Sequence, residues 1–245
     1  MDIRVLASGS TGNCYRVSDG STALLLDAGI PVGAIRRGCG FQLSAVTACL
    51  VTHSHGDHSK AVAGLLRAGV DCYLPAAELA ACGLPAHHRL HPLERDGADY
   101  RAFPVGTFTV LPFHVEHDTP EPVGYLLASG VTGEKLLYFT DTYFLRQRFS
   151  GLTHIIGEVN YDRETLWERV DGGSTPAVRA KRLFTSHMSL ETFLDFLDAN
   201  DLTRLRQLYI CHMSDDHGGA ERILRAVRQK TGAEVYLCER RRICD

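Results

Sequence analysis

Between Thr52 and Ser59 the chain places three imidazoles and a carboxylate in six consecutive residues, His53-Ser54-His55-Gly56-Asp57-His58. Neutral imidazole and ionised carboxylate are the nitrogen and oxygen donors that divalent cations take, so the first chemistry to consider is metal binding. The flanking residues indicate how such a site would be held. Ala45 to Val51 is short, partly β-branched and almost continuously apolar, the pattern of a buried strand. Beyond the motif, Val62, Leu65 and Leu66 share one face of a helix expected over Lys60 to Arg67, and Gly69 is a natural C-terminal stop. If the chain is still extended through 53–55, His53 and His55 project to the same side, because strand side chains alternate. Asp57 and His58 then lie on the turn into the helix, at the C-terminal end of a core strand, where α/β folds place their sites. A polar turn that merely holds histidines is the competing description, and the density of donors argues against it.

A two-metal hydrolytic site needs about six to eight protein donors, with metals roughly 3.5–4 Å apart that usually share a bridging carboxylate. The motif supplies four. Further candidates stand at the ends of expected elements. His117 follows a strand and precedes an acidic loop; Asp141 ends a strand that is otherwise buried, where a carboxylate needs a partner. His212 ends the strand Leu208 to Cys211 in the same way, and His187 precedes a helix whose N-cap would be Ser189. Asp27 ends another strand, placed to orient a ligating imidazole from behind. Taken singly, each is as easily a turn, cap or surface residue, and only their shared position at element ends groups them. His87, His88 and His91, around Pro85 and Pro92, lack strand support and read as a solvated loop. His114 and His154 read as strand residues, and His217 as a weaker candidate near the site.

The composition is that of an ordinary soluble globular chain: 245 residues, 44 % hydrophobic and 22 % charged, long enough to bury a core without staples. A formal charge of −3 excludes a global basic field for coating nucleic acid, although an enzyme working at a strand end needs only a local basic patch. Eight cysteines show no C-x-x-C pair, and several sit in apolar runs where a free thiol behaves as a small hydrophobe. No basic-then-apolar N-terminal segment and no window of about 18 apolar residues is present, so the expectation is a cytoplasmic protein with reduced thiols and no membrane partner.

The expected order of elements starts with a strand over Ile3 to Ala7, then the small-residue loop Ser8 to Asn13. Cys14 to Val17 and Ala23 to Leu26 form a hairpin through Asp19-Gly20, and a short helix runs from Pro31 to about Gly38. After the motif come a strand over Val70 to Leu74, a short helix after Pro75 and an irregular stretch over 83–100. Strands are expected at Arg101 to Phe103, Phe108 to Val115, Gly124 to Ala128, Leu136 to Thr140 and Ile155 to Val159. Residues 160–176 are polar and Gly-rich, read as a loop before a helix from Pro176. An amphipathic helix over Leu190 to Leu197, a strand over Leu205 to Cys211, a helix over Ala220 to Val227 and a strand over Val235 to Cys238 complete the chain. No linker or charge block divides it, so 1–245 is expected to be a single domain. A faint internal echo (strand, His53, helix against strand, His212, helix) suggests two similar β-rich sheets packed face to face with helices outside.

At this point the residues resemble a family. His53-Ser54-His55-Gly56-Asp57-His58 matches the H-x-H-x-D-H signature of metallo-β-lactamase-fold hydrolases, and His117, Asp141 and His212 follow in the order in which that fold supplies its remaining ligands. Within the fold the chain is most similar to the YycJ (WalJ) group. Leu6-Ala7-Ser8-Gly9-Ser10-Thr11-Gly12-Asn13-Cys14 resembles its N-terminal stretch and Leu26-Asp27-Ala28-Gly29 its first acidic motif. Glu158-Val159-Asn160-Tyr161-Asp162 resembles an Asn-His-Asp segment, and Ser186-His187-Met188-Ser189 and Cys211-His212-Met213-Ser214 resemble two late His-Leu-Ser motifs. Tyr161 stands in place of the usual histidine, Met twice in place of Leu, and His217 and Gly218 in place of asparagines. The resemblance implies an α/β fold, a four-layer αββα sandwich. It also implies a binuclear centre of two divalent transition-metal ions, zinc or manganese. His53, His55 and His117 would hold one ion, Asp57, His58 and His212 the other, with Asp141 bridging. The direct catalytic roles fall to Asp57 and to His187, which resembles the non-ligand histidine that RNase Z-type and PhnP-type phosphodiesterases use to protonate the leaving group.

The activity so implied is phosphodiester hydrolysis by a metal-bridging hydroxide, with His187 as general acid and DNA degraded from a 5′ end as the substrate. A small-molecule phosphodiesterase, or another ester or lactam hydrolase on the same scaffold, is the alternative, mildly favoured by the acidic net charge. A non-catalytic module that keeps metal for structure is the reading from a different class, and structural zinc sites, closed and mononuclear, argue against it. The Ser8 to Asn13 loop could cradle a phosphate with backbone N–H groups, or could be only a tight strand connection.

Overall fold

The computed structural model describes residues 1–214 and 219–238, which form two compact units. His217, Gly218 and Cys244 lie outside the described residues.

The first unit begins with β1 (Asp2–Ala7), β2 (Cys14–Ser18) and β3 (Ala23–Leu26), paired antiparallel. Next in this unit come α1 (Val32–Gly38), β4 (Ala48–Leu50), the one-turn α2 (Gly56–Ser59), α3 (Val62–Arg67), β5 (Asp71–Pro75), α4 (Leu79–Cys82) and β6 (Leu90–Leu93). From β3 onward the sheet is parallel, in the order β1-β2-β3-β4-β5-β6. Its central strands are buried on both faces, which explains their unbroken apolar runs. On one face Leu25, Cys49, Val51, Cys72 and Leu74 pack against Ile35 of α1 and Val62, Leu65 and Leu66 of α3. α3 stops at Ala68, after which Gly69 takes φ +86°.

The same unit continues through the small ribbon β7 (Arg95–Asp96) and β8 (Asp99–Tyr100), then β9 (Phe103–Val105), β10 (Phe108–His114) and β11 (Val123–Ser129), the last three antiparallel. These three cover the other face of the first sheet. The Tyr125 hydroxyl donates to the Val51 carbonyl at 2.6 Å, and Tyr73 stacks on Phe103 with centroids 5.0 Å apart. At the sheet ends Asp19 accepts the hydroxyls of Thr107 at 2.6 Å and Ser129 at 2.8 Å.

The second unit holds β12 (Lys135–Phe139), β13 (His154–Glu158), α5 (Arg163–Asp171), α6 (Ala177–Ser186), α7 (Leu190–Asp198), β14 (Gln207–Cys211), α8 (Ala220–Thr231) and β15 (Glu234–Leu237). Its four strands are parallel, ordered β12-β13-β14-β15. Phe193 and Phe196 of α7 pack on Phe139, with centroids 6.1 and 5.4 Å apart. Ser189 caps α7 as expected, accepting from the Thr192 amide.

Three expectations are corrected. The stretch 83–100 is not irregular: β6 extends the parallel sheet, and His91, expected in a solvated loop, stacks on Tyr73 and pairs with Asp71 at 3.2 Å. Residues 163–171 are helical where a loop was expected, because the Asp162 side chain caps the Thr165 amide and Leu166 is buried. The strand expected from Ala45 starts at Ala48, since Leu43–Ala45 closes a 3-10 turn.

Candidate metal centre

In the first unit two stretches of backbone, at Asn13 and Ala28, bond to the motif, and a third, at Ala61, bonds to Ala28. The Asn13 amide donates to the Asp57 carbonyl, the Ala28 amide to the His58 carbonyl, and the Ala61 amide to the Ala28 carbonyl. Gly29 makes this approach possible, since a Cβ there would fall 1.6 Å from the Asp57 carbonyl oxygen. β4 ends at Leu50, Ser54 and His55 form a bend in which His55 keeps ψ 143°, and α2 starts at the next residue. Glu78, fully buried, accepts from the Ser54 amide at 3.0 Å and from the Glu121 amide at 2.7 Å, fixing the loop between the first two histidines.

Hydrogen bonds decide which imidazole nitrogens are presented. His58 Nδ1 lies 2.7 Å from Asp27 Oδ2, and His53 Nδ1 3.0 Å from the Thr52 hydroxyl, which itself reaches both Asp27 oxygens. A carboxylate behind Nδ1 holds the proton there and leaves Nε2 as the lone-pair donor. His53 Nε2 and His55 Nδ1 are 3.1 Å apart, and His58 Nε2 is 3.6 Å from Asp57 Oδ2. Two imidazole nitrogens brought this close fit a shared cation.

The second unit gathers His117, Asp141, His187 and His212 around Glu158. Ligand atoms of Asp141, Glu158, His187 and His212 all lie within 4.8 Å of one another. His187 Nδ1 is 2.7 Å and His212 Nδ1 3.1 Å from the same Glu158 oxygen, while the other oxygen accepts the Thr142 amide at 2.9 Å. The two rings are stacked at 5.2 Å, and the His117 ring centre lies 6.2 Å from that of His187. Asn160 donates to the His212 carbonyl at 2.7 Å and accepts from the Ser214 amide through its own carbonyl. Burial alone would push Glu158 up and His187 down; their mutual charge and hydrogen bond reverse both, so the Glu158 carboxyl lies below its ordinary range and the His187 imidazole above.

Asp27, Asp141 and His212 each follow a strand and each take left-handed φ, +58°, +49° and +49°. Non-glycine residues enter this region at a cost of about 1–2 kcal/mol, and such strain gathers at functional sites. In the Ser8 to Asn13 loop, Gly9 donates to Asn13 Oδ1, Gly12 to the Gly9 carbonyl and Asn13 to Asp57. Those three amides are committed within the protein, and the bonds fit a tight connection that braces the motif rather than a phosphate cradle.

A profile of the Metallo-beta-lactamase superfamily matches residues 7–144. The chain belongs to the metallo-β-lactamase superfamily. As a superfamily hydrolase it has the expected α/β fold: it superimposes on the metallo-β-lactamase-fold protein YhfI from Bacillus subtilis with TM-score 0.72, covering 97 % of this chain and 95 % of that one at 14 % identity. Exodeoxyribonuclease YycJ from Bacillus anthracis is 31 % identical over 175 residues, 66 % of this chain. That match spans 64 % of the relative's own length. Exodeoxyribonuclease WalJ from Streptococcus pneumoniae serotype 2 is 26 % identical over 230 residues, 87 % of this chain and 81 % of that protein. Metallo-β-lactamase-superfamily members bind divalent metals, and the donor sets in both units fit such ions. Glu158, Glu78 and Asn160 carry structure at these clusters without having been singled out as site residues. The signal for Glu158 was present, an acid closing the apolar strand Ile155-Ile156-Gly157 as Asp27 and Asp141 close theirs. Among the described residues no helix is long and apolar enough to cross a membrane.

Proposed function

We propose that the chain is a single-domain, binuclear metal-dependent phosphodiesterase that degrades DNA from a 5′ end. His53, His55 and His117 would hold one divalent ion, Asp57, His58 and His212 the other, and Asp141 both, in the ligand order of the superfamily. When bound, the ions supply an activated water at neutral pH and neutralise charge on the phosphoryl group. The remaining work belongs to the chain. Asp27, Thr52 and Glu158 hold the imidazoles by Nδ1, which would leave Nε2 of His53, His58 and His212 for the ions, that of His58 once it gives up the Asn13 side-chain amide 3.1 Å away. His187, also held by Glu158 through Nδ1, keeps Nε2 for the leaving oxygen and delivers a proton to it.

The observation that carries this reading is the His187–Glu158 pair, a proton donor beside the candidate ligands in a chain whose relatives are named exodeoxyribonucleases. The test is hydrolysis of linear 5′-phosphorylated DNA, circular DNA and a chromogenic phosphodiester, with metal analysis of protein purified without chelator. Mononucleotides from linear DNA, none from circles, and close to two transition-metal ions per chain are expected. Turnover of the chromogenic ester alone would hand the site to a small-molecule phosphodiesterase, and fully folded protein without metal would end the binuclear assignment.

A further inference from the structure

Next to His187 the second unit opens a cleft of about 490 Å³ whose walls are aromatic: Tyr143, Phe144, Tyr161, Trp167 and Phe184. Three of these rings are open to solvent, Tyr143 at 37 %, Phe144 at 47 % and Trp167 at 47 %. Phe184 forms the back of the cleft, with its ring centre 5.8 Å from Trp167 and 5.7 Å from Tyr161. Tyr161 is the residue that departs from the family's histidine, and it is buried at 2 % exposure, held as part of this wall. Arg163 lies on the rim, its guanidinium 3.5 Å from Glu191 and 3.3 Å from the Thr192 hydroxyl, half exposed toward the opening. Core packing accounts for Tyr161. It does not account for three large exposed rings converging on one cleft, which cost apolar surface left in water.

We propose that this cleft is a nucleobase-stacking subsite for the nucleoside carrying the leaving oxygen. The inference rests on the phosphodiesterase reading above, because His187 serves the leaving oxygen there and also lines the cleft. Whatever enters the cleft is therefore attached to that oxygen. A group that is flat, offers a π-face to aromatic walls, tolerates a guanidinium at its edge and hangs from a phosphodiester is a nucleobase. Stacking tolerates every base, since each has a π-face, with the larger purine rings held somewhat more strongly, so the subsite grips nucleotides without hydrogen-bond readout of sequence. It also gives an enzyme of net charge −3 a means of holding nucleic acid that does not depend on a basic surface.

Trp167 is the chain's one tryptophan, so its emission reports this cleft alone. Titration of the purified protein with deoxynucleoside 5′-monophosphates is expected to quench Trp167 saturably, purines more than pyrimidines. Deoxyribose 5-phosphate and inorganic phosphate are expected to leave it unchanged. Phe184→Ala should weaken nucleotide binding and raise KM for a single-stranded oligonucleotide about 5- to 100-fold, the loss of one base–aromatic stack. Phe184→Leu, which keeps apolar bulk and removes the ring, should move in the same direction with its thermal midpoint near that of wild type. Equal quenching by the sugar phosphate, or no response to any nucleotide while the chromogenic diester is still hydrolysed, would overturn the subsite alone. An emission change that follows protein concentration rather than nucleotide would assign the cleft to a second copy of the chain. Nucleotide quenching without hydrolysis of DNA or diester would instead sink the phosphodiesterase reading and leave a nucleotide-binding cleft.

Discussion

The proton on His187 is governed by Glu158. With Nδ1 held 2.7 Å from that carboxylate, the imidazole stays protonated to higher pH than a free histidine, against the opposing effect of burial. On the proposed reading His187 is the general acid and must be protonated to act, so activity should fall as pH rises through the raised value and be retained below it. Glu158→Gln removes the charge that raises it, so the alkaline limb of the kcat profile should move to lower pH; an unmoved limb would place the proton donor elsewhere. His187→Ala is expected to retain its metal while turnover of substrates with poor leaving groups drops about 10²- to 10⁴-fold, with activated leaving groups affected much less. Loss of metal in that variant would make His187 a ligand. The sequence made His187 visible because it stands before a capped helix. It marked Glu158 only as an acid closing an apolar run, because a lone carboxylate there carries no sign of which imidazoles will come to it.

At the scale of elements, the motif depends on backbone brought from elsewhere. The strands β3 and β4 and the helix that follows the motif were readable from apolar runs and from Gly69. The clamp that Asn13 and Ala28 form on residues 57–58, with Ala61 bonded in turn to Ala28, was not, since nothing local marks an amide that will meet a carbonyl dozens of positions away. α5 was missed for a related reason. Gly172 and Gly173 and the polar residues around them suggest a loop, and the Asp162 cap with buried Leu166 outweighs that composition. The clamp supplies a test. In Gly29→Ala the added methyl would fall 1.6 Å from the Asp57 carbonyl oxygen and 2.7 Å from the Asn13 amide, both backbone, so the motif loop must shift. Overpacking of this kind typically costs about 1–3 kcal/mol. The variant should therefore melt earlier and bind less metal per chain than wild type, while Gly33→Ala, where the added methyl meets nothing within 4 Å, serves as the control. Full metal content at wild-type affinity in Gly29→Ala would show that the loop does not need this approach.

At the scale of the whole molecule, the first unit must keep β9–β11 seated on the first sheet, and much of that fastening is polar. Asp19, expected only as a hairpin-turn residue, accepts the Ser21 and Thr22 amides of its own turn and the hydroxyls of Thr107 and Ser129 from the facing strands. Burial works against its charge, but the four donors prevail and lower its carboxyl to about 2. A folded-state value below the unfolded one of about 3.9 means that the charged form is stabilising. The contribution is complete above the unfolded value and is lost as pH falls through it toward about 2. After allowance for solvent screening it is on the order of 1 kcal/mol. Asp19→Ala should thus lower stability at neutral pH by about 1–3 kcal/mol, the upper part from hydroxyl and amide donors left unpaired. The difference between wild type and variant should shrink as urea unfolding is repeated from pH 7 down toward pH 3. A gap of constant size would mean that the carboxyl fastens the two layers through its shape and neutral hydrogen bonding, not through its charge.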